Sequence, residues 1–332
     1  MSLSGPRIKV SAFLALSLLV VFPVKKTTAQ CCSTGSPVGA SVYVGVLGKN
    51  YLRAGTFYRY GYSDKYYEND SKAENNPLQS ANYNFTGIAL GYGITKRLTA
   101  EIDFGYFINK TQLYLDNKTF HGMKQTGYGF SNGGVNLKYG VYVNPVKQIE
   151  FTAGAGFRYP FTTNPQMVDN VQLNRDIQPS TNAFGANGML FFNLGFPEIT
   201  LRLFTINRYE YNFTDKVDYK YGNILLNSLF VSKKIMKYFF AILQLRNEFK
   251  TRDNYKGTDE VNTGYDIVYL SPQLSYSVAG KWNITVVCDL PVYKNYNGRQ
   301  LTPKYAMALS LTRDFNFGRK VPKMEPVKME SH

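Results

Sequence analysis

The sequence predicts an all-β protein: a single antiparallel, up-and-down transmembrane β-barrel of about twelve strands. Three observations predict it. Apolar and polar residues alternate in segments of about ten residues or more along the chain. Long polar connections alternate with tight turns. Aromatic residues make up 15% of the chain, including 27 Tyr and 23 Phe, as expected of a protein with aromatic girdles at two membrane interfaces.

Residues 1–29 read as a secretory signal peptide. Arg7 and Lys9 precede an apolar run from Val10 to Val24, and small residues end at Thr27-Thr28-Ala29. The run is too short to span a bilayer as a helix. Removing Arg7, Lys9, Lys25 and Lys26 takes the formal charge from +15 to +11. The remaining bases are scattered through strands and turns, without the helix or stacking module of a nucleic-acid reader, so no nucleic-acid partner is expected. An acidic lipid surface is the expected counterpart.

Residues 30–50 form an N-terminal segment containing Cys31 and Cys32, which read as ordinary residues on a mobile end; no plug domain is expected before the barrel. The expected strands are 51–63, 82–94, 98–109, 126–143, 149–160, 182–194, 198–213, 217–232, 237–250, 264–278, 281–293 and 303–315. "TKR", "NPVKQ", "GFPE", "KKIM" and "AG" are the tight turns. The remaining connections include 64–81 and 161–181, rich in Asn, Asp, Pro and Ser. This asymmetry places long loops at one end of a meander and short turns at the other, as in outer-membrane barrels.

The strands themselves carry the facing. In 271–291, Pro272, Leu274, Tyr276 and Val278 alternate with Gln273, Ser275 and Ser277; after Ala279-Gly280, Trp282, Ile284, Val286 and Cys288 alternate with Asn283 and Thr285. In 149–160, Ile149, Phe151, Ala153, Ala155, Phe157 and Tyr159 oppose Glu150, Thr152, Gly154, Gly156 and Arg158. A soluble barrel would bury the apolar face inside; here the small opposite face leaves room for a lumen. Lipid cannot satisfy an open strand edge, so the first and last strands must pair. The last strand ends on Phe315 and Phe317, the kind of terminal aromatic strand that the barrel-assembly machinery reads. Residues 51–317 are the expected barrel, and 318–332 a basic periplasmic tail.

Twelve charged residues fall on the polar faces: Arg59, Glu101, Asp103, Lys138, Glu150, Arg158, Arg202, Arg208, Glu210, Arg246, Glu248 and Asp289. They are the expected lumen lining, either a constriction that sorts solutes by charge or pairs that stabilise a filled interior. Catalytic chemistry is not expected. An acyl hydrolase needs a His beside a nucleophile, and the mature chain has only His121, in a loop, and His332, in the tail. No pair of His or Cys has ligand spacing, so no metal or cofactor is expected. Asp64, Glu68 and Asp70 in the first loop read as a solvated acidic stretch.

Two stretches resemble a known family. "GFSNGGVNLKYGVY" (129–142), through Gly129 and Phe130, and "LSPQLSYSVAGKWNITVVCDLPVYKNYNGRQLTPKY" (270–305), through Pro272, Tyr276, Leu290, Pro291, Gly298 and Leu301, are similar to the outer-membrane barrels named for a phenol-degradation pathway, distant relatives of the long-chain fatty-acid transporters. Ser131-Asn132 stands where that family has Gly-Asp. The leader ending in Ala29-Gln30 and the heavy Tyr and Asn usage are similar to those of Bacteroidetes proteins. The resemblance implies a bacterial outer-membrane barrel, surrounded by lipid and lipopolysaccharide, that acts as a channel or transporter for a small molecule, hydrophobic cargo included. A barrel that binds or scaffolds through its long loops, and a lipid-modifying enzyme, are the alternatives.

Overall fold

A computed structural model describes residues 45–74, 77–116, 122–168, 170–278 and 282–318. The signal stretch, Cys31, Cys32, His121, His332 and the tail from 319 lie outside the described residues. Twelve antiparallel strands form the wall: β1 (Tyr51–Ser63), β2 (Leu78–Gly93), β3 (Leu98–Tyr114), β4 (in two pieces, Lys124–Phe130 and Gly133–Asn144), β5 (Ile149–Tyr159), β6 (Gly185–Phe196), β7 (Leu201–Asn212), β8 (Ile224–Lys234), β9 (Phe239–Lys250), β10 (Tyr265–Val278), β11 (Trp282–Thr302) and β12 (Tyr305–Asn316). Each pairs with the next. β1 pairs with β12 from Tyr51↔Asn316 to Tyr62↔Tyr305, which closes the ring.

The outer surface carries the apolar faces. Ile102, Leu137, Leu190, Leu243, Leu245, Leu274, Val286, Met307 and Leu309 each remain 44–54% exposed, whereas Thr99, Thr152, Ser271, Thr285 and Ser310 on the inner faces are buried. This is the inverse of a soluble barrel. Near the loop end the outside turns polar: Asn84 donates to Asn109 at 2.6 Å and Asn109 to Asn82 at 3.0 Å, and Thr111 bonds Thr126 at 3.1 Å. Asn82, Asn84, Asn109 and Thr126 mark the upper limit of the apolar band.

Several strands run further than their alternation predicts. β2 begins at Leu78 rather than 82, and β3 reaches Tyr114 rather than 109. β11 continues to Thr302, leaving only Pro303-Lys304 before β12 where a long connection was expected. Pro291, which has no N–H to donate, sits at a register shift against β10. A second shift follows between Tyr296 and Arg299, where Gly298 has φ +76°. A Cβ at Gly298 would also lie 2.2 Å from Asn262 Oδ1, so only glycine fits. Beyond this bend β11 pairs with Lys65–Asn69 of the first loop. β8 starts at Ile224, not 217, because Tyr219–Lys220 pairs instead with Asn254–Tyr255 in a small separate sheet.

β4 breaks at Ser131-Asn132, just after Gly129 (φ +133°). Its first piece pairs with β3, but among the described residues no strand pairs with its other edge. The long β5–β6 connection covers that gap: Tyr128 N donates to Gln166 Oε1 at 3.0 Å, and a Cβ at Gly127 would meet Ile177 O at 1.9 Å.

Candidate functional site

The barrel interior has three storeys. At the turn end, the residues just before β1 enter the lumen. Val46 N donates to Glu150 Oε1 at 2.7 Å, and Leu47 N donates to Thr99 Oγ1 at 2.8 Å. Glycines on the inner faces make room: a Cβ at Gly93 would lie 2.0 Å from Gly48 O, and one at Gly140 would lie 3.1 Å from Val46. Gly45–Gly48 thus lies inside the barrel, a placement that the sequence reading did not anticipate. Around this insert, Lys138 Nζ donates to Glu101 at 2.6 Å, Arg53 pairs with Asp314 at 2.7 Å, Arg202 donates to Asn193, and Asn136 donates to Asp103 at 3.2 Å.

The middle storey is built from β1, β9, β10 and β11. Asp289 on β11 accepts from Arg59 Nη2 at 2.5 Å, from Arg246 Nη2 at 3.3 Å and from Ser271. Arg59 Nε donates to the Tyr83 hydroxyl at 3.0 Å, and the Arg246 guanidinium lies 4.5 Å from the Tyr269 ring centre. Tyr265 OH donates to Glu248 at 2.6 Å. Across the lumen, Glu210 forms an ion pair with Arg208 at 3.0 Å and accepts from Arg158 at 3.4 Å. Each of the twelve charged residues singled out in the sequence is thus on an inner face with a polar partner. Between the charges lie inward aromatic groups, with Phe204 stacked on Phe230 at 4.4 Å beside Phe191, and Phe85 at 4.5 Å from Phe107.

The loop end is closed by the β5–β6 connection, which dips into the barrel. Its 3-10 turn (Arg175–Ile177) and the following residues are held from three sides. Lys110 Nζ donates to Gln178 O at 2.9 Å. Asn132, at the break in β4, donates to Thr181 Oγ1 at 2.8 Å and Ala183 O at 2.9 Å, and accepts from Ser180 Oγ at 2.6 Å. Arg175 lies 3.5 Å from the Tyr219 ring centre and pairs with Asp215 at 3.4 Å. Burial, and then the neighbouring Asp253 carboxylate that accepts its hydroxyl at 2.7 Å, raise the Tyr219 phenol well above its ordinary pKa. Asp64 of the first loop is held by Lys304 at 2.6 Å.

This arrangement leaves separate chambers. A mouth chamber is lined by Arg175, Asp176, Tyr219, Tyr221, Lys250 and Gln300. Below the dipping turn, one chamber is lined by Arg59, Tyr62, Ile177, Arg246, Tyr269 and Leu301, and another by Phe107, Asn132, Arg158, Gln178 and Glu210. Glu101, Lys138, Met189 and Arg208 surround a small one near the turn end. Asp176 borders both the mouth and the first inner chamber, so the dipping turn is the partition between them.

The chain shares its fold with an outer-membrane channel. The crystal structure of an outer membrane channel from Pseudomonas putida F1 superposes with a TM-score of 0.64 over 82% of this chain and 97% of that one, at 13% sequence identity. The NanC porin (TM-score 0.46, 13% identity, 79% and 98% covered) and the translocator domain of the autotransporter NalP from Neisseria meningitidis (0.44, 10%, 81% and 90%) are more distant. No family model matches the chain, and no curated protein matches it.

The family-like residues fall at irregular points of the wall. Gly129 and Phe130 precede the β4 break, Pro291 and Gly298 sit at bulges, and Leu301 packs with Tyr66, Leu78 and Tyr114 in the mouth. Pro272 and Tyr276 face outward on β10, opposite Leu243 and Phe239, and Leu290 is exposed. Asn132, Lys110 and Ile177 were missed as site residues. A polar Asn between two glycine-rich strand pieces is the signal by which Asn132 could have been found. Among the described residues, no group of three or more His, Cys, Asp or Glu is placed to hold a metal ion.

Proposed function

We propose that the protein spans a bacterial outer membrane and passes a small solute through its lumen by passive movement. The observation that carries this reading is a closed wall, apolar outside, enclosing chambers divided by the dipping turn at the loop end, with Gly45–Gly48 inserted at the other end. The inner chamber below the dipping turn sets Tyr62, Tyr269, Leu301 and Tyr305 beside Arg59 and Arg246. That lining fits a solute with an apolar body and a polar or anionic end. The likeness of 129–142 and 270–305 to the phenol-pathway barrels supports the same cargo class, and the leader and composition support a Bacteroidetes source. No step in this reading requires a catalytic group.

Uptake into proteoliposomes tests it. Vesicles containing the protein should admit small aromatic carboxylates faster than sucrose of similar size, and faster than empty vesicles do. Equal rates with and without protein would overturn transport and favour a scaffold acting through its loops.

A further inference from the structure

The basic excess of the chain is not spread evenly over the barrel. At the loop end the bases are offset by Asp64, Glu68, Asp70, Asp215, Asp218, Asp253, Asp259 and Glu260, and three of them form ion pairs: Lys304 with Asp64, Arg175 with Asp215, and Lys250 with Asp253 at 2.7 Å. At the turn end, Lys96 and Arg97 are exposed in one turn, Lys147 in the next, and Lys233, Lys234 and Lys237 around a third. Among the described turn residues there, Glu198 is the opposing charge. Asp314, at the end of β12, is already neutralised by Arg53.

The same turns carry exposed apolar tips. Val146 is 88% exposed, Met236 65% and Ile199 57%. Apolar tips flanked by bases are the make-up of a surface that seats in the boundary between acyl chains and headgroups, with lysine stems lying along the apolar layer and ammonium groups at phosphate level. Arg313 adds a positive charge at the same end. It faces outward from β12 with its guanidinium 4.7 Å from the Trp282 ring centre and 4.6 Å from that of Phe315, and its Nε has no hydrogen-bond partner. Two rings hold the group flat against the wall; its Nε is itself buried, so Arg313 offers its positive charge at this depth rather than a free N–H.

We propose that this collar is a docking surface for anionic phospholipid headgroups in the leaflet that the short turns face. The proposal rests on the membrane-spanning reading above. Charge complementarity selects the occupant: clustered bases without acidic partners at the depth of an interface attract anionic lipid. The collar anchors the turn end and fixes the depth of the barrel, which leaves the loop end free to move around the mouth.

Trp282 is the single tryptophan of the chain and stands in the collar, so its fluorescence reads the adjacent lipid directly. The protein is reconstituted in vesicles of equal parts phosphatidylcholine and phosphatidylglycerol, with bromine on the chains of one lipid at a time. Brominated phosphatidylglycerol should quench Trp282 as though favoured over phosphatidylcholine by about fivefold, the pull of roughly one lipid-facing base. The preference should fall toward one as salt shortens the screening length. Arg313→Gln, and the triple change Lys233→Gln, Lys234→Gln and Lys237→Gln, should reduce it; Lys216→Gln with Lys220→Gln at the loop end should not. Equal quenching by the two lipids at low salt overturns the proposal and leaves the collar to a water-soluble acidic partner. Quenching by neither lipid would overturn the membrane-spanning reading itself.

Discussion

Asp289 of β11 holds two arginines from strands two places away on either side, Arg59 of β1 and Arg246 of β9, at 2.5 and 3.3 Å. One carboxylate thus ties together three strands of which no two are adjacent in the sheet. Asp289→Asn leaves two buried cations without their counter-ion. The expected cost is about 3–5 kcal/mol, the usual result of breaking a buried pair from one side. Urea unfolding of the folded protein in vesicles measures it. The same variant should move the reversal potential toward anion selectivity, and an unmoved potential would remove Asp289 from the path.

The insert at the turn end depends on two amide hydrogen bonds, Val46 N to Glu150 and Leu47 N to Thr99. The bond to a charged acceptor is the stronger of the two. Glu150→Gln combined with Thr99→Val should therefore speed hydrogen exchange at residues 46 and 47 by about tenfold or more, with exchange in β5 unchanged. Exchange that stays slow would show that packing, not these bonds, holds the insert.

Asn132 stands at the other insert, where its amide satisfies Ser180, Thr181 and Ala183 at once. Asn132→Ala strands those groups at a cost of about 1–3 kcal/mol for a buried unsatisfied partner. The dipping turn should then open more often. Added protease should nick 161–181 several times faster in the variant, in intact vesicles that present their loop end outward.

The Tyr219 phenol gives the loop end an alkaline limit. Its pKa is raised in the folded protein, by burial first and by Asp253 second. In the unfolded loop the phenol ionises near its ordinary value of about 10. The contribution of the packed phenol is therefore complete below about pH 10 and declines as pH rises above it toward the folded value. Hydrogen exchange in 213–223 should quicken in that window in the wild type. In Tyr219→Phe the part of that rise beyond intrinsic base catalysis should be smaller, with buried Tyr221 supplying what remains.

Much of the wall was legible because lipid and lumen impose a two-residue period on every strand that crosses the apolar band. Leu243 and Leu245 against Gln244 and Arg246 is one instance, and the closure of β1 on β12 follows from the need to hide edges. Legibility stops where the band stops. Ser80, Ala81, Lys110, Thr111 and Gln112 lie above it, where outward residues need not be apolar, so the upper parts of β2 and β3 carried no signal. Tyr219-Lys220 alternates like a strand yet pairs elsewhere, which misplaced the start of β8. The inward rings Phe57, Phe85, Phe191, Phe204 and Phe230 were also hidden, because an aromatic residue reads as a girdle residue whichever face it occupies. The insertion of Gly45–Gly48 had no local signature. It is set by glycines and hydrogen-bonding groups on four other strands, brought together only by closure.

The central claim is that the enclosed chambers become one path when the two inserts move. Single-channel recording in planar bilayers tests it most directly, comparing the wild type with the Asn132→Ala, Glu150→Gln double variant. The account predicts brief, small conductance steps in the wild type and longer, larger ones in the variant. A silent bilayer with both proteins, each shown to be folded and inserted, would contradict it.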